Sequence, residues 1–431
     1  MALSTQYLIL KNCKKEAMRF SIPLLFLFLI ACSTEDKVGP VQATTFVRYF
    51  NGGGSDDAQA LLQTSDGGYI ILANTGIKPS ELVDTHFKIK LIKTDAFGNQ
   101  LWQKFFPEFG NDTNPAGSKL SYKGNGIEIL KDGGYVIAGE DIQNGVSQLM
   151  IMTVDSEGSN PAYKTIKSAT PMSGVAVAAN SNGDFLALGS IPSASELKNM
   201  VLCKFSKSSL DSSWLGTYGA GSVTLANKLF LDSRDNAYWG GTVQRENTNS
   251  AIRFVKIVTD PSNLGGIDFD LPLSKPGITE TGNDFCSYGA GFAIIGTTNE
   301  KKSGGTGDLD ILFKRISENG TELSSESFPI EGQDQNEVGN SICTTRDGGL
   351  LLLSTIDSQG ELGRGDKDFY LIKIDPFGEL AWSQAYGSKF EDVGVSVIPA
   401  SDGGYVILGT TTLSRVKTVT LMKVDKNGKI E

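Results

Sequence analysis

The chain has 431 residues, 39% hydrophobic and 20% charged, with 50 glycines and 14 prolines, enough for a large core or several domains. Glycine at about 12%, against a usual ~7%, with little proline excludes a disordered chain and fits many short strands joined by tight turns. The formal net charge of −10 excludes a basic nucleic-acid footprint and a polybasic grip on anionic lipid.

The N-terminus reads as an address. Lys14, Lys15 and Arg19 precede an apolar run from Phe20 to Ala31, 12 residues long. A bilayer span needs about 20, so the run fits the h-region of a signal peptide. Residues 1–31 are assigned to that peptide, with Met18 as an alternative start. Leu29-Ile30-Ala31-Cys32 resembles the lipobox of bacterial lipoproteins, and this resemblance implies lipidation of Cys32 and a membrane partner reached through the lipid. Ser33, Thr34, Glu35 and Asp36 resemble the export signal of surface lipoproteins in Bacteroidota. Residues 32–43 form the lipidated tether and 44–431 a single domain. From Ser33 to Gln42, at ~3.3–3.6 Å per residue, the tether reaches roughly 35 Å at most. Removal of residues 1–31 takes away four basic residues and one acidic, leaving a body of −13.

That body repeats itself seven times, and repeats set the fold before anything else does. The turn Asp66-Gly67-Gly68-Tyr69 returns as Asp132-Gly133-Gly134-Tyr135, then as Asn182-Gly183-Asp184-Phe185. It is degenerate at Asp235-Asn236-Ala237-Tyr238 and at Gly289-Ala290-Gly291-Phe292. It recurs as Asp347-Gly348-Gly349-Leu350 and as Asp402-Gly403-Gly404-Tyr405. The steps are 66, 50, 53, 54, 58 and 55 residues.

Each unit carries four short apolar runs, too short and too punctuated by glycine for helices. In the last unit, strand a is expected over Val393–Pro399, b over Tyr405–Gly409 and c over Val419–Val424, ending at the turn Asp425-Lys426-Asn427-Gly428. Four strands per unit and seven units predict an all-β, seven-bladed β-propeller of four-stranded antiparallel blades. The last unit lacks its fourth strand, and Thr45–Gly52 precedes the first turn as Trp382–Gly387 precedes the last. The N-terminal strand is therefore expected to close the last blade and remove its open edge.

These units resemble the Asp-Gly-Gly-Tyr propeller repeats of secreted and surface Bacteroidota proteins. The element from Ile374 to Trp382, matched by Leu91 to Trp102, resembles a quinoprotein-type blade ending. The Trp is replaced or displaced elsewhere, as at Tyr163 and Trp214.

What recurs belongs to the scaffold, so Lys93, Lys204, Lys256, Arg315, Lys373 and Lys423, each just before a c–d turn, are expected as solvated strand ends. The turn aspartates are expected to cap their turns. Cys203, Cys286 and Cys343 are expected as buried core thiols, with no disulfide between the last two. The loops over Ala73–His86, Phe106–Asn125, Asn299–Asp308 and Ile356–Asp366 lie on the face opposite the tight turns, the usual place for binding. Strand d begins on the tight-turn face, so that face is expected toward the membrane.

Catalytic signals are sparse. His86 is the single histidine, which excludes a three-His metal site. No Gly-x-Ser-x-Gly elbow, vicinal cysteine pair or sialidase aspartate box is present. Asp308 with Asp310, and Asp366 with Asp368, form two Gly-Asp-x-Asp elements that read as structural loop features. Ca²⁺ coordination and glycoside hydrolysis are the other chemistries open to such pairs. His86, Asn111, Asp308, Asp310, Asp366 and Asp368 are the candidate ligand-binding residues; no cofactor other than Ca²⁺ is indicated. The chain thus reads as a monomeric lipoprotein of the outer membrane or cell surface. Its long-loop face binds a glycan or an envelope protein; a polysaccharide hydrolase or lyase and a purely structural scaffold are the alternatives.

Overall fold

The structure, a computed structural model, describes residues 45–52, 54–77, 86–108, 120–192, 198–218, 223–244, 249–258, 266–273, 275–300, 309–328, 336–357 and 365–430. Every described element is a β-strand, and the strands form seven four-stranded antiparallel sheets. Six blades are built from consecutive strands, blade 1 running Ser55–Gln63, Tyr69–Ile77, His86–Thr94 and Gln100–Phe106. The seventh takes Asp392–Pro399, Tyr405–Leu413 and Val416–Val424 from the C-terminus and Phe46–Phe50 from the N-terminus. Phe46 stands opposite Lys423 and Phe50 opposite Val419, so the expected closure is borne out and the chain enters blade 7 on the side of the c–d turns.

The core lies between blades rather than within them. Seven clusters of buried side chains fill the seven seams. The residue after each first turn, Tyr69, Tyr135, Phe185, Tyr238, Phe292, Leu350 or Tyr405, is buried in one of them. Burial of such a side chain stabilises by about 1.5–3 kcal/mol, which is why the position stays large and apolar.

The Asp-Gly-Gly turn has a reason for each residue. Gly67 adopts φ +80°, a left-handed conformation that costs other residues energy. A Cβ on Gly68 would collide with the carbonyl of Thr94 on strand c. Asp66 Oδ1 accepts the Gly68 N–H at 2.9 Å, the expected cap. Its other oxygen takes the Lys93 ammonium at 2.7 Å, and Lys93 also donates to Thr94 O at 3.0 Å. Lys373 repeats this with Asp347, and Lys423 with Asp402. Lys93, Lys373 and Lys423 are buried, so three of the predicted solvated strand ends are instead staples between strand c and the turn. The charge recurs because a buried ammonium needs its carboxylate partner.

The aromatic at the start of strand d has a role across the seam. A Cβ on Gly158 in blade 2 would touch Trp102 of blade 1 at 2.8 Å, and one on Gly428 in blade 7 would touch Trp382 of blade 6 at 2.8 Å. Each ring therefore covers the next blade's c–d turn. Phe46 holds the same register in blade 7 and covers Gly98 of blade 1.

Loop bounds differ from expectation. Ala73–Ile77 extends strand b of blade 1, and His86 begins strand c. Blades 2 and 7 have no long b–c loop. Asn144-Gly145 (φ 51° and 77°) and Ser414-Arg415 (φ 51° and 70°) close two-residue hairpins, as two consecutive positive φ values permit.

Candidate functional site: the channel and its mouth

Strand a of every blade is the innermost, and every one carries a β-bulge against strand b. The bulged residues are Gln59, Asn125, Val175, Asn227, Asn283, Asn340 and Val395 in blades 1–7. A bulge adds an unpaired residue and re-aims its side chain, so these seven line a central channel of about 390 Å³. Three of them tie neighbouring blades together. Asn125 donates to Gly174 O at 2.7 Å, Asn227 to Gly282 O at 2.8 Å and Asn283 to Gly339 O at 2.7 Å.

Below this ring the blades diverge. The next residue is Ala60, Gly126 or Ala176 in blades 1–3, Lys228, Asp284 or Ser341 in blades 4–6, and Ser396 in blade 7. Lys228 Nζ donates to Asp284 Oδ1 at 2.6 Å, while Asp284 Oδ2 accepts Ser341 Oγ at 2.8 Å and the Ile342 N–H at 3.0 Å. Burial works against the Lys228 ammonium, but Asp284 outweighs it and raises its pKa. Across the channel, burial raises the pKa of the Glu128 carboxyl.

Cys286 and Cys343 also line this channel and are half-buried rather than core residues, a correction to the expectation; Cys203 is buried as expected. All three are free thiols. Burial pushes the Cys286 thiol up to about 12 and Cys343 higher still, so neither supplies a thiolate near neutrality.

The channel widens toward the b–c and d–a loops. A mouth of about 420 Å³ shares Gln59, Asn125 and Val395 with it and adds groups from blades 7, 1 and 2. Lys123 Nζ stands 3.9 Å over the Phe87 ring, a cation–π contact. Asn74 pairs with the Gly124 backbone through both its amide atoms, at 2.9 and 2.8 Å. Lys417 and Asp57, both near half exposed, bridge blades 7 and 1 at 2.8 Å. Aromatic face, amides and paired charges together can hold hydroxyl groups against an apolar ring.

Four buried carboxylates, Asp56, Glu280, Glu337 and Asp392, mark the loop end of strand a. Asp56 binds Lys90 Nζ at 2.7 Å and accepts Thr75 Oγ1 at 2.6 Å. Glu280 pairs with Lys314 at 3.3 Å. Asp392 accepts Thr411 Oγ1 and the Ser388 N–H, and burial raises its pKa.

The sequence-predicted residues scatter around this site. His86 is half-buried at the start of strand c in blade 1, beside Phe87 at the mouth. Asp310 starts strand c of blade 5, half-buried opposite Thr298. Asp366 is exposed, whereas Asp368 is 1% exposed within strand c of blade 6. The two residues of that pair thus face different surroundings. Cys32, Asn111 and Asp308 lie outside the described residues. Among the described residues no group of three or more His, Cys, Asp or Glu side chains is placed to hold a metal ion. Phe87, Lys123, Asn74, Lys228 and Asp284 were missed. Alignment of the seven strands a on their Gly/Ala–bulge pairs is the signal that isolates Lys228 and Asp284.

No protein-family model and no curated protein matches this chain. Among solved structures, a puromycin hydrolase aligns with TM-score 0.50 at 12% identity, over 86% of this chain and 52% of its own. A protein of unknown function from Dyadobacter fermentans aligns with TM-score 0.48 at 9% identity, over 88% of this chain and 97% of its own. A sialidase mutant from Trypanosoma rangeli with trans-sialidase activity aligns with TM-score 0.49 at 10% identity, over 88% and 59%. At such identities these likenesses concern the fold alone.

Proposed function

We propose that the chain is a non-catalytic glycan-binding module, anchored in the outer membrane through a lipidated Cys32 and exposed at the cell surface. The observation that carries this reading is the mouth at blades 7, 1 and 2. There an aromatic ring under an ammonium, a backbone-paired amide and bridged charges surround about 420 Å³ on the loop-bearing face. Its amides and charges are held by neighbouring blades, so the surface is organised before a ligand arrives, which lowers the ordering cost of binding. The chain enters blade 7 from the side of the c–d turns. On this reading the c–d turn face lies toward the membrane and the mouth away from it.

The test has two arms. In cells, Cys32→Ala abolishes incorporation of labelled fatty acid and releases the protein from the membrane fraction; unchanged labelling refutes the anchor. In vitro, the unfolding midpoint is followed against a polysaccharide panel, with and without Ca²⁺. A ligand at 100 times Kd adds about 2.7 kcal/mol, and Phe87→Ala removes that shift. Release of oligosaccharide overturns the non-catalytic reading, and a midpoint that no polymer moves overturns glycan binding in favour of a protein partner.

A further inference from the structure

The seven blades supply their own internal comparison, and the channel is where it is most lopsided. At the position after the bulge, blades 1–3 carry Ala60, Gly126 and Ala176, nothing longer than a methyl group. The same position in blades 4–6 carries an ammonium, a carboxylate and a hydroxyl. A merely structural ring would repeat one solution seven times. Blade 7 carries Ser396, and the two charged groups of this position stand side by side in blades 4 and 5.

The channel wall at blades 4–6 has a definite hydrogen-bonding character. Asp284 is saturated: Lys228 and its own Phe285 N–H reach Oδ1, and Ser341 and the Ile342 N–H reach Oδ2. Lys228 is not saturated. Its side chain is 37% exposed to the channel, and among the described residues Asp284 is the one acceptor of its hydrogen bonds. An ammonium carries three donors, so two remain for an occupant. Asn227 and Asn283 each spend one N–H on the next blade. Among the described residues no donor reaches either Oδ1, and each carbonyl is left to the channel. The ammonium is neutralised by Asp284, and Glu128 on the far wall adds a carboxyl. The wall therefore offers donors beside acceptors with no net positive charge. An anion gains nothing there, whereas a hydroxyl, which both donates and accepts, matches it. The volume of about 390 Å³ lies within the range of small-molecule sites.

Resting on the glycan-binding reading above, we propose that the channel wall formed by Lys228, Asp284, Asn227 and Asn283 is a subsite for a neutral sugar residue that enters through the mouth. The wall sets the ligand class: uncharged, hydroxyl-rich rings in preference to uronates or sialic acid.

Two native thiols make the subsite readable. Cys286 and Cys343 line the channel, whereas Cys203 is 2% exposed and serves as an unreactive reference. The full-length protein in detergent is exposed to a brief pulse of hydroxyl radicals, which oxidise a thiol without first needing a thiolate, and modification is followed site by site by peptide mass spectrometry, normalised to the exposed Phe377. The probes are cellobiose, maltose and N,N′-diacetylchitobiose, with glucuronic acid and sialic acid as charged comparators; unfolding midpoints are recorded in parallel. A neutral disaccharide at ten times its Kd is expected to slow modification of Cys286 and Cys343 about tenfold, by occupancy alone.

The double variant Lys228→Met/Asp284→Leu replaces the pair by apolar groups of similar volume. Its unliganded midpoint falls, because Ser341 and the Ile342 N–H lose their acceptor; at a temperature where both proteins are folded it weakens the protecting sugar at least about tenfold, the loss expected when hydrogen bonds to a charged group worth about 1.5–3 kcal/mol disappear. If a sugar raises the midpoint while both thiols react as fast as before, the ligand sits elsewhere: glycan binding stands and the channel subsite falls. Equal protection by the acidic sugars overturns the neutral class. If no sugar moves the midpoint or the thiols, the binding reading and the subsite fail together.

Discussion

Closure of the ring by the N-terminal strand can be measured through one side chain. Phe46 is 4% exposed in the cluster between blades 7 and 1, with Phe50, Leu61, Tyr69 and Val419. Phe46→Ala leaves a cavity there and is expected to cost about 3–5 kcal/mol, a large part of a native stability of about 5–15 kcal/mol. Gly98→Ala perturbs the same contact from the other side. Gly98 has φ +75°, and an added Cβ would stand 2.5 Å from the Phe46 ring. Gly378 occupies the equivalent turn of blade 6 with φ +92° and no atom within 4 Å of an added Cβ. Both alanines incur left-handed strain of about 1–2 kcal/mol, but only Gly98→Ala adds overpacking of about 1–3 kcal/mol. Urea unfolding should rank Gly378→Ala above Gly98→Ala, with Phe46→Ala down by about 3–5 kcal/mol. Hydrogen exchange over Val416–Val424, the strand that Phe46–Phe50 covers, should accelerate in Phe46→Ala and Gly98→Ala but not in Gly378→Ala. A Phe46→Ala protein that loses less than about 0.5 kcal/mol and keeps its exchange pattern would falsify closure by this strand.

Two further expectations concern charge. In the turns, burial works to raise the Asp66 and Asp347 pKa values. The lysine, threonine and backbone donors around each outweigh it and bring both to about 2, against an ordinary 3.8. The folded value lies below the unfolded one, so the stabilisation is present above about pH 4 and is lost as pH falls toward about 2. Both carboxylates are more than half exposed, which limits each to at most about 1 kcal/mol. Thermal midpoints should decline over that interval, and Lys93→Met/Lys373→Met should flatten the decline; an unaltered slope removes the staples as its cause. At Asp56–Lys90, with side chains 1% and 0% exposed, Asp56→Ala should cost about 3–5 kcal/mol by stranding the ammonium. Asp56→Leu with Lys90→Met should cost less than the single change. A double variant as unstable as the sum of both singles would show that the buried pair is not coupled.

Blade number, blade order and ring closure were legible because each depends on local chemistry that repeats. A positive φ at Gly67 and a carbonyl too close to Gly68 leave the same three letters at turn after turn. The aromatic at the start of strand d is legible for the same reason: Trp102, Trp382 and Phe46 all cover a neighbour's glycine turn. The lysine staples were misread because repetition marks scaffold without saying whether it is wet. Lys93 has the sequence position of an exposed strand end, and only the fold of the turn back over strand c buries it. The strand-a bulge was missed because it breaks the alternation that identifies a strand. Residues on either side of Asn283 are out of phase with each other, so Asp284 reads as facing away from the channel when it lines it. Candidates were therefore sought in long loops, where acidic pairs stand out, and the channel wall was passed over.

That shift from loops to channel changes where the proposed binding finds its selectivity. Loops on this face differ in length from blade to blade, and two b–c connections are reduced to two-residue turns, so the rim is uneven and blades 7, 1 and 2 shape most of the mouth. The mouth offers an aromatic face and held charges, which favour many ring-shaped ligands alike. The channel below offers a fixed sequence of donor and acceptor. Asp284 is held in place by donors from blades 4 and 6 at once. A rigid polar array discriminates more sharply than a stacking surface, since a ligand lacking a matching hydroxyl leaves buried groups unpaired. The proposed sugar binding thus divides into capture at blades 7, 1 and 2 and inspection at blades 4–6, with affinity assigned to one arc of the ring and selectivity to the other. Phe87→Ala should accordingly weaken all bound sugars by a similar factor. Lys228→Met/Asp284→Leu should change their order.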